Sequence, residues 1–501
     1  MHTSADIVDA SKSILLTDFY QLTMLQACEV NGMRGEASFE LSLSSLPASR
    51  GFVMSCGLEP ALDWLEGLRF QDSELAWLAA SRRFRNAFIE GLRDWRFSGE
   101  VWAVPEGTVV FPGEPVLRIT APIGQAQLVE SRLLNLIHVH SVIASEAARC
   151  VIAAGSADLV DLGLQRAPGS EAAMITSRAA CIAGFSATAN VLAGMQSGLA
   201  LAGTMAQSYV FAHEAETLAF LDFARANPDD VVFLIDTWDT VQGAYRAVSA
   251  AEELAREGIR VKAVRIDSGD LLTLSHRVRA ILDNAGLSHV RIFAGNNLDE
   301  WQIAALRAAT APIDTYCVGT ALSTSVDAPS IDFSYKLVDY GGRPCGKRSS
   351  GKATPPGRKQ IWRHLDESGK IARDLVSLDN EPAPANAGGR WQALLEPVMR
   401  AGRRLRPAPS LDTLRARAAS QIALLGNPVR LLDNPSPVPV SHSATLRESL
   451  HAQVASGLSS PVDPNSARPS RSAIARQDSP EGGRSTRMRS APQLSKSRRA
   501  A

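Results

Sequence analysis

Six short apolar runs, each ending in small or polar residues, constrain the fold of this chain more than any other feature. They lie at 157–163, 199–206, 231–237, 261–267, 290–296 and 314–320. Near-continuous runs of this kind are typical of strands covered on both faces of a parallel sheet. The stretches between them leave room for helices, and two of these, 241–257 and 270–285, carry apolar residues at helical spacing. The pattern predicts an α/β fold, either a (β/α) barrel or a doubly wound sheet.

Polar residues at the ends of these runs predict the location of a site. Both topologies gather functional groups at the carboxyl ends of their parallel strands. Any one of these residues could simply cap the following helix, but the recurrence of polar ends indicates an active-site rim. The residues at these ends are Asp161, Thr204, Asp236, Asp267, Asn296 and Thr320.

The segment VRIDSGDL places Asp267 and Asp270 three residues apart at a strand-to-helix junction, behind Arg265. Two carboxylates at this spacing can hold a divalent cation or bind the vicinal hydroxyls of a ribose. Glycine-containing turns follow at 294–297 and 318–324. Turns at the last strand ends of a barrel often bind phosphate through free backbone N–H groups. Together these features indicate a site for a phosphorylated sugar with a cation.

The two ends of the chain predict a second layer. Residues 36–120 alternate like half-exposed strands, and YKLVDYGGRPCGKRS resembles a hairpin. We expect a barrel flanked by an α/β layer built from both ends of the chain. The predicted parts are 1–128 (first part of the layer), 129–335 (barrel), 336–434 (return to the layer) and 435–501 (a tail).

Two basic segments lie outside the predicted layers. The loop 346–363 is either solvated or a mobile flap over a polyanion. The stretch 441–501 is basic and rich in Ser and Pro, and has few large apolar residues, so we expect the tail 435–501 to be disordered. It is either a solvated extension or an arm that binds an acidic partner.

Composition excludes several classes of protein. Lys plus Arg equals Asp plus Glu at 52 each, so the net charge gives no reason to expect nucleic-acid or membrane-surface binding. The first residues do not resemble a signal peptide, and no uncharged apolar stretch is long enough to cross a membrane. Six scattered cysteines form no metal-binding or disulfide pattern. We therefore expect a soluble, cytoplasmic protein.

Eight segments in collinear order resemble the nicotinate phosphoribosyltransferase family. They are LLTDFYQLTM, ESRLLNLIHVHSVIASEAAR, DLGLQRA, SRAACIAGFSATANVLAG, GTMAQSYV, LIDTWDT, VRIDSGDLL, and YKLV with the later SGKATPPGRKQIWR. The resemblance covers about 13–400 and implies an α/β fold, an irregular (β/α) barrel flanked by an α/β sandwich domain that N- and C-terminal segments build. It implies synthesis of nicotinate mononucleotide and pyrophosphate from nicotinate and 5-phosphoribosyl 1-diphosphate in NAD salvage, with Mg²⁺, by a homodimer with shared active sites.

The resemblance also implies roles for individual residues. Tyr20, an aromatic that would by default lie in a core, would stack on nicotinate bound in the neighbouring subunit. Thr204 and Arg265 would hold the carboxylate and ring, and Asp236 and Asp267 would engage the ribose hydroxyls and the Mg²⁺-bound diphosphate. The 5′-phosphate would be bound by Gly295, Asn296, Gly319 and Thr320. The other substrate-binding candidates are Leu162, Arg166, Arg178, Asp270 and Lys352.

Two segments depart from the family pattern. Gln207 stands where the family usually has a histidine that ATP phosphorylates, and an amide cannot form that phosphoenzyme. Leu162 and Gln165 stand where the family often has Phe and Arg. Coupling to ATP is therefore in doubt. The alternatives are a transferase for another base, such as nicotinamide, and a paralogue that binds ligand without catalysis.

Overall fold

The computed structural model describes residues 12–347, 354–386 and 388–458. The described residues up to Gly457 cluster as one unit. The helices are α1 (Phe19–Val30), α2 (Leu58–Gly67), α3 (Asp72–Ser81), α4 (Asn86–Gly91), α5 (Ile123–Leu128), α6 (Glu130–Ala154), α7 (Ser170–Ala183), α8 (Val191–Ser197), α9 (Gln207–Phe211), α10 (Glu216–Ala226), α11 (Thr240–Arg256), α12 (Leu271–Asn284), α13 (Glu300–Ala308), α14 (Thr320–Thr324), α15 (Leu411–Leu424), α16 (Asn427–Arg430) and α17 (Ala444–Leu458).

The strands alternate with these helices in the middle of the chain and cluster toward its two ends. They are β1 (Glu36–Ser45), β2 (Val53–Met54), β3 (Glu100–Ala103), β4 (Val109–Val110), β5 (Pro115–Pro122), β6 (Asp158–Asp161), β7 (Ala187–Thr188), β8 (Val231–Leu234), β9 (Val261–Ile266), β10 (Arg291–Ala294), β11 (Thr315–Val318), β12 (Asp332–Tyr340), β13 (Arg343–Pro344), β14 (Lys359–Leu365), β15 (Ile371–Leu378), β16 (Arg390–Ala393), β17 (Glu396–Arg400), β18 (Arg403–Arg404) and β19 (Val440–His442).

The central sheet is parallel and six-stranded, with the order β7-β6-β11-β10-β9-β8. Five of the six apolar runs supply β6, β8, β9, β10 and β11, as the sequence pattern predicts. The prediction of a strand at 199–206 is wrong. The sixth strand of the sheet is β7, which lies earlier in the chain, at Ala187–Thr188. Within 199–206, Leu201 makes only an isolated parallel bridge to Thr188. That run is made largely of Leu, Ala and Gly, and Thr204 is its single β-branched residue, of the kind that favours strands.

The segment 199–206 nevertheless spans the gap between the edge strands β7 and β8. The Ala202 N–H donates to the Thr188 carbonyl at 3.1 Å. The Thr204 hydroxyl donates to the carbonyl of Val232, on β8, at 2.5 Å. The sheet is therefore a curled parallel half-barrel whose open side is crossed by an irregular segment.

A seven-stranded antiparallel sheet draws its strands from both ends of the chain, in the order β13-β12-β1-β5-β3-β17-β18. Strand β1, inside this sheet, pairs with β12 from beyond the barrel and with β5 from before it. Helix α6 is long and apolar enough to cross a membrane by composition, but 78% of its apolar window is buried in the protein. This helix is therefore a core helix.

The four-stranded sheet β16-β14-β15-β19 corrects the predicted tail. Strand β19 pairs in parallel with β15, and α17 follows it. Val438 and Leu446 are buried on either side of β19, and the Ser443 hydroxyl accepts the Leu446 N–H at 3.1 Å. The boundary at 434 and the expectation of disorder are thus wrong for 435–458. The rest of the predicted tail lies outside the described residues.

Candidate functional site

The carboxyl ends of the adjacent strands β8 and β9 bring Asp236 and Asp267 together. The Asp236 carboxylate is buried, and its Oδ2 accepts the Asp267 backbone N–H at 3.1 Å. The same oxygen accepts the Ser268 hydroxyl at 2.5 Å. Asp236 and Asp267, two of the predicted polar strand ends, are therefore neighbours at this edge, whereas Asp270, which the sequence spacing set beside Asp267, caps α12. We refer to Asp236 and Asp267 as the carboxylate pair.

The second carboxylate of the pair is held on its other side. Asp267 Oδ1 accepts from Arg265 Nη2 at 2.8 Å and from the Asn296 N–H at 3.3 Å. Its side chain is 39% exposed, whereas that of Arg265 is 18% exposed. A Cβ at position 295 would lie 1.8 Å from this oxygen, so only Gly295 allows the approach. The carboxylate pair and Arg265 thus form one compact charged group.

Three buried polar atoms in this group have no hydrogen-bond partner among the described residues. They are Asp236 Oδ1, Thr237 Oγ1 and Arg265 Nε. Leaving a buried carboxylate oxygen unpaired is expensive, by about 1–3 kcal/mol or more for a charged group. Carboxylate oxygens suit both Mg²⁺ and the hydroxyls of a sugar. The residues present therefore fit a Mg²⁺-bound sugar diphosphate.

Burial opposes the charge of the Arg265 guanidinium, yet its neighbours keep that charge in place. The thiolate that Cys317 forms in the alkaline range where an arginine titrates, together with the carboxylate pair, outweighs burial and raises the pKa of Arg265 above its usual value. Arg265 is therefore a permanent cation at the edge of the barrel interior.

A small apolar pocket lies inside the curled sheet beside Arg265, with a cavity volume of about 10 Å³, so its walls must move apart to admit more than one water molecule. In the register of β9 and β10, Phe293 lies beside Arg265. Burial raises the pKa of the Cys317 thiol to about 11, so that wall group is neutral. The walls are Val160, Leu162, Ala202, Gly203, Thr204, Val232, Arg265, Phe293 and Cys317. One cation among apolar walls suits a flat ring that carries an anionic group.

Sequence reasoning placed Leu162, Thr204 and Arg265 at this pocket but missed Phe293 and Cys317. The usable signal was strand register, because a residue beside Arg265 on a neighbouring parallel strand shares its face. The Thr204 hydroxyl donates its proton to the Val232 carbonyl, so it keeps its lone pairs for an incoming donor.

The loops after β10 and β11 meet at the same edge. Asn296 and Asn297 have φ of 76° and 53°, in the left-handed region. The Thr320 hydroxyl lies 3.5 Å from Asn297 Oδ1. Gly319 precedes α14, and a Cβ there would lie 3.2 Å from the Leu162 carbonyl oxygen. Successive backbone N–H groups in such turns can bind an anion, as the predicted phosphate role requires.

Asp161, one of the predicted polar strand ends, and Asp270, the second carboxylate of VRIDSGDL, have structural partners. Asp161 is buried and accepts from the Gly163 N–H at 2.7 Å, the Ser177 hydroxyl at 2.8 Å and the Thr188 hydroxyl at 2.7 Å. Asp270 caps α12, and the Thr273 hydroxyl bonded to it at 2.6 Å lowers its pKa. The capping alternative thus holds for Asp270, whose role toward substrate stays a prediction.

The remaining candidates lie in varied surroundings. Arg178 makes a two-pronged ion pair with buried Glu106, at 3.0 and 2.7 Å. Arg166 is exposed and reaches only the Gln165 carbonyl oxygen, at 3.5 Å. Gln207 is the exposed first residue of α9. Lys352 lies outside the described residues.

Tyr20 and its neighbour Phe19 are exposed rather than in the core, at 48% and 56%. Further exposed apolar side chains follow the carboxyl ends of the parallel strands, and we call them the apolar collar. Within it, the rings of Phe211 and Trp238 lie 5.6 Å apart. The collar consists of Leu164, Val191, Leu192, Met195, Leu201, Phe211 and Trp238.

Comparison with known proteins agrees with this geometry. The nicotinate phosphoribosyltransferase N-terminal domain matches residues 15–138, and the corresponding C-terminal domain matches 386–450. A nicotinate phosphoribosyltransferase of Mycobacterium tuberculosis is 45% identical over 84% of this chain and 89% of its own. One of Bacillus subtilis is 38% identical, over 73% of this chain and 76% of its own.

Solved structures give the same result. Human nicotinic acid phosphoribosyltransferase superposes with a TM-score of 0.79 at 28% identity, over 87% of this chain and 99% of its own. A nicotinate-nucleotide pyrophosphorylase of Pyrococcus furiosus gives 0.69 at 25% identity, over 84% and 98%. The chain therefore belongs to the nicotinate phosphoribosyltransferase family.

Proposed function

We propose that this protein transfers the phosphoribosyl group of 5-phosphoribosyl 1-diphosphate to nicotinate, forming nicotinate mononucleotide and pyrophosphate for NAD salvage. The observation that carries the proposal is the carboxylate pair beside an apolar pocket whose wall holds Arg265. Arg265 matches the carboxylate of nicotinate and offers nothing comparable to the neutral amide of nicotinamide. The same feature therefore favours nicotinate as the base.

The carboxylate pair suits the chemistry of the transfer. The ring nitrogen of nicotinate forms a bond to the anomeric carbon as the bond to pyrophosphate breaks. Positive charge develops on the ribose ring, and fixed carboxylates nearby stabilise it. Asp236 and Asp267 would also hold Mg²⁺ with the diphosphate, and the bound cation would neutralise the leaving group. Gly295, Asn296, Gly319 and Thr320 would hold the 5′-phosphate through their backbone.

Exposed apolar side chains support a homodimer with shared sites. Tyr20 and the apolar collar leave aromatic and aliphatic surface in water, which is unfavourable for an isolated chain. We place Tyr20 of one subunit over the pocket of the other, with its ring against the pyridine. The seven-stranded sheet and its helices would form the family's sandwich, and the enzyme would work in the cytoplasm.

Gln207 leads us to propose that the reaction proceeds without a phosphoenzyme. Its amide lacks the nucleophilic nitrogen that accepts a phosphoryl group from ATP. The Nδ1–H of His213, six residues on, donates to the Tyr209 carbonyl oxygen at 2.7 Å, within its own segment. We therefore expect the same rate of nucleotide formation with and without ATP.

The test is formation of nicotinate mononucleotide by the purified chain from nicotinate, phosphoribosyl diphosphate and Mg²⁺, with and without ATP. Nicotinamide replaces nicotinate in a parallel reaction. Product from nicotinate alone, independent of ATP, is the expected result, and Gln207→His is the variant in which ATP stimulation should appear. Product from nicotinamide at equal efficiency would overturn the base assignment. Nicotinate binding without product would show a ligand-binding paralogue.

A further inference from the structure

Ser268 directly follows Asp267, one member of the carboxylate pair, in the sequence DSGD and is not itself an ionisable group. Its hydroxyl donates to Asp236 Oδ2 at 2.5 Å, and the Asp267 N–H donates to the same oxygen at 3.1 Å. Both donors therefore meet one oxygen of the buried Asp236 carboxylate. The other oxygen, Oδ1, is buried and has no partner among the residues that the structure describes.

We propose that Ser268 is a positioning residue that fixes the Asp236 carboxylate with one oxygen occupied and the other directed to the ribosyl diphosphate. The inference deepens the proposed function and rests on it. A carboxylate rotates about its Cβ–Cγ bond in a broad, roughly two-fold manner, so its two oxygens exchange readily unless one is held. The Ser268 hydroxyl is the shorter of the two hydrogen bonds that hold it.

The charge of the neighbouring carboxylate makes this hold more important. Asp267 and Asp236 lie at the ends of adjacent parallel strands, and two like charges so placed repel each other. Asp267 is restrained by Arg265 and by the Asn296 N–H, both at its Oδ1. Ser268 restrains Asp236 in the same way, but its hydroxyl is a neutral donor. The negative charge of the Asp236 carboxylate therefore stays available to the substrate.

The test compares Ser268→Ala with Ser268→Thr, which keeps the hydroxyl. A misplaced catalytic group can reduce a rate about 100-fold. We expect Ser268→Ala to lower kcat/KM for phosphoribosyl diphosphate about 10- to 100-fold and to raise the Mg²⁺ concentration needed for half-maximal activity. The KM for nicotinate should stay within a factor of about two of the unmodified enzyme, because its pocket is unchanged. Ser268→Thr should restore most of the activity.

Ser275→Ala is the matched control. Ser275 is a buried serine on α12, seven residues after Ser268, and its hydroxyl donates to the Leu272 carbonyl at 3.0 Å. We expect this variant to keep both KM values and the Mg²⁺ dependence.

Three results would overturn the positioning role. They are unchanged kinetics in Ser268→Ala, equal losses in Ser268→Ala and Ser268→Thr at an unchanged melting temperature, and equal changes in the KM of both substrates. An unmodified enzyme that forms no nucleotide would instead refute the proposed function, so the two failures are distinguishable.

Discussion

The β6 and β8 ends of the parallel sheet carry the same sequence signature but use it differently. Each strand ends in a buried aspartate, Asp161 after β6 and Asp236 after β8. Asp161 accepts three hydrogen bonds that join its strand to α7 and β7. Among the described residues, Asp236 Oδ1 has no hydrogen-bond partner, and neither has Oγ1 of the next residue, Thr237. Saturation of the carboxylate thus separates a structural aspartate from one that awaits a ligand.

Replacement of Asp236 gives the largest effect on activity and the strongest test of this contrast. Asp236→Asn keeps the shape and removes the charge that stabilises the transition state. We expect kcat to fall about 100- to 1,000-fold, with a melting temperature close to that of the unmodified protein. Steady-state kinetics and thermal unfolding measure the two quantities. A large loss of stability with full kcat would show that Asp236 is structural like Asp161.

Arg265 should have the next largest effect, expressed as selectivity. Arg265→Gln removes the cation of the apolar pocket, so we expect kcat/KM for nicotinate to fall about 100-fold and the preference over nicotinamide to shrink. Arg265→Lys keeps the charge but loses the two-pronged geometry of the guanidinium. Its kcat/KM for nicotinate should therefore lie between those of Arg265→Gln and the unmodified enzyme. Competition between the two bases measures the preference. An unchanged preference in Arg265→Gln would contradict our placement of the nicotinate carboxylate.

The structural member of the comparison should respond in stability. Asp161→Ala leaves the Ser177 and Thr188 hydroxyls and the Gly163 N–H without their acceptor. At about 1 kcal/mol for each lost bond, we expect a loss of about 2–3 kcal/mol in the free energy of unfolding. Urea unfolding measures this loss, and kcat should stay near normal at temperatures where the variant is folded. Ser177→Ala, which removes a single donor, should lose less than half as much.

The sequence predicted that Asp236 and Asp267 lie at one edge of the sheet, because two elementary regularities place them there. Apolar runs fix β8 and β9, and parallel strands end at one edge, so Asp236 and Asp267 must be neighbours there. Which aspartate is saturated could not be predicted, because the donors to Asp161 come from Ser177 and Thr188, distant in sequence.

Other failures have the same origin in tertiary contacts. The segment 199–206 is held by one isolated β-bridge and one side-chain hydrogen bond. Neither contact requires a strand-like pattern of residues in the sequence. Strand β19 is three residues long and forms only because β15 offers an edge. Tyr20 lies on a helix whose apolar residues suggested a core, and its exposure depends on where α1 packs.

The buried carboxyl of Glu114 shows that an unpaired carboxyl oxygen does not always await a ligand, as that of Asp236 does. Glu114 is fully buried and its Oε1 also lacks a partner among the described residues. Burial, followed by the neighbouring Asp374, raises the pKa of Glu114 well above its usual value, although Arg363 lies nearby. Arg363 gives its best hydrogen bond to Asp374, at 2.6 Å. Glu114 therefore accommodates its unpaired oxygen by holding a proton, without a ligand.

Replacement of Glu114 should give the smallest effect, and its sign depends on pH. A carboxyl with a raised folded-state pKa contributes most to stability below the unfolded-state pKa of about 4.5, and that contribution declines as pH rises toward the folded-state pKa. Glu114→Gln lacks this decline, so we expect it to gain about 1 kcal/mol in the free energy of unfolding relative to the unmodified protein between pH 5 and pH 8.

Glu40→Gln is the matched control. Buried Glu40 accepts a hydrogen bond from the Lys359 ammonium at 2.8 Å, so the loss of its charge should destabilise the protein at neutral pH. Unfolding by urea across this pH range measures both variants. A Glu114→Gln variant that loses stability at pH 8 as Glu40→Gln does would show that Glu114 is an ionised partner of Arg363, and that an unpaired buried oxygen marks neither a ligand nor a proton there.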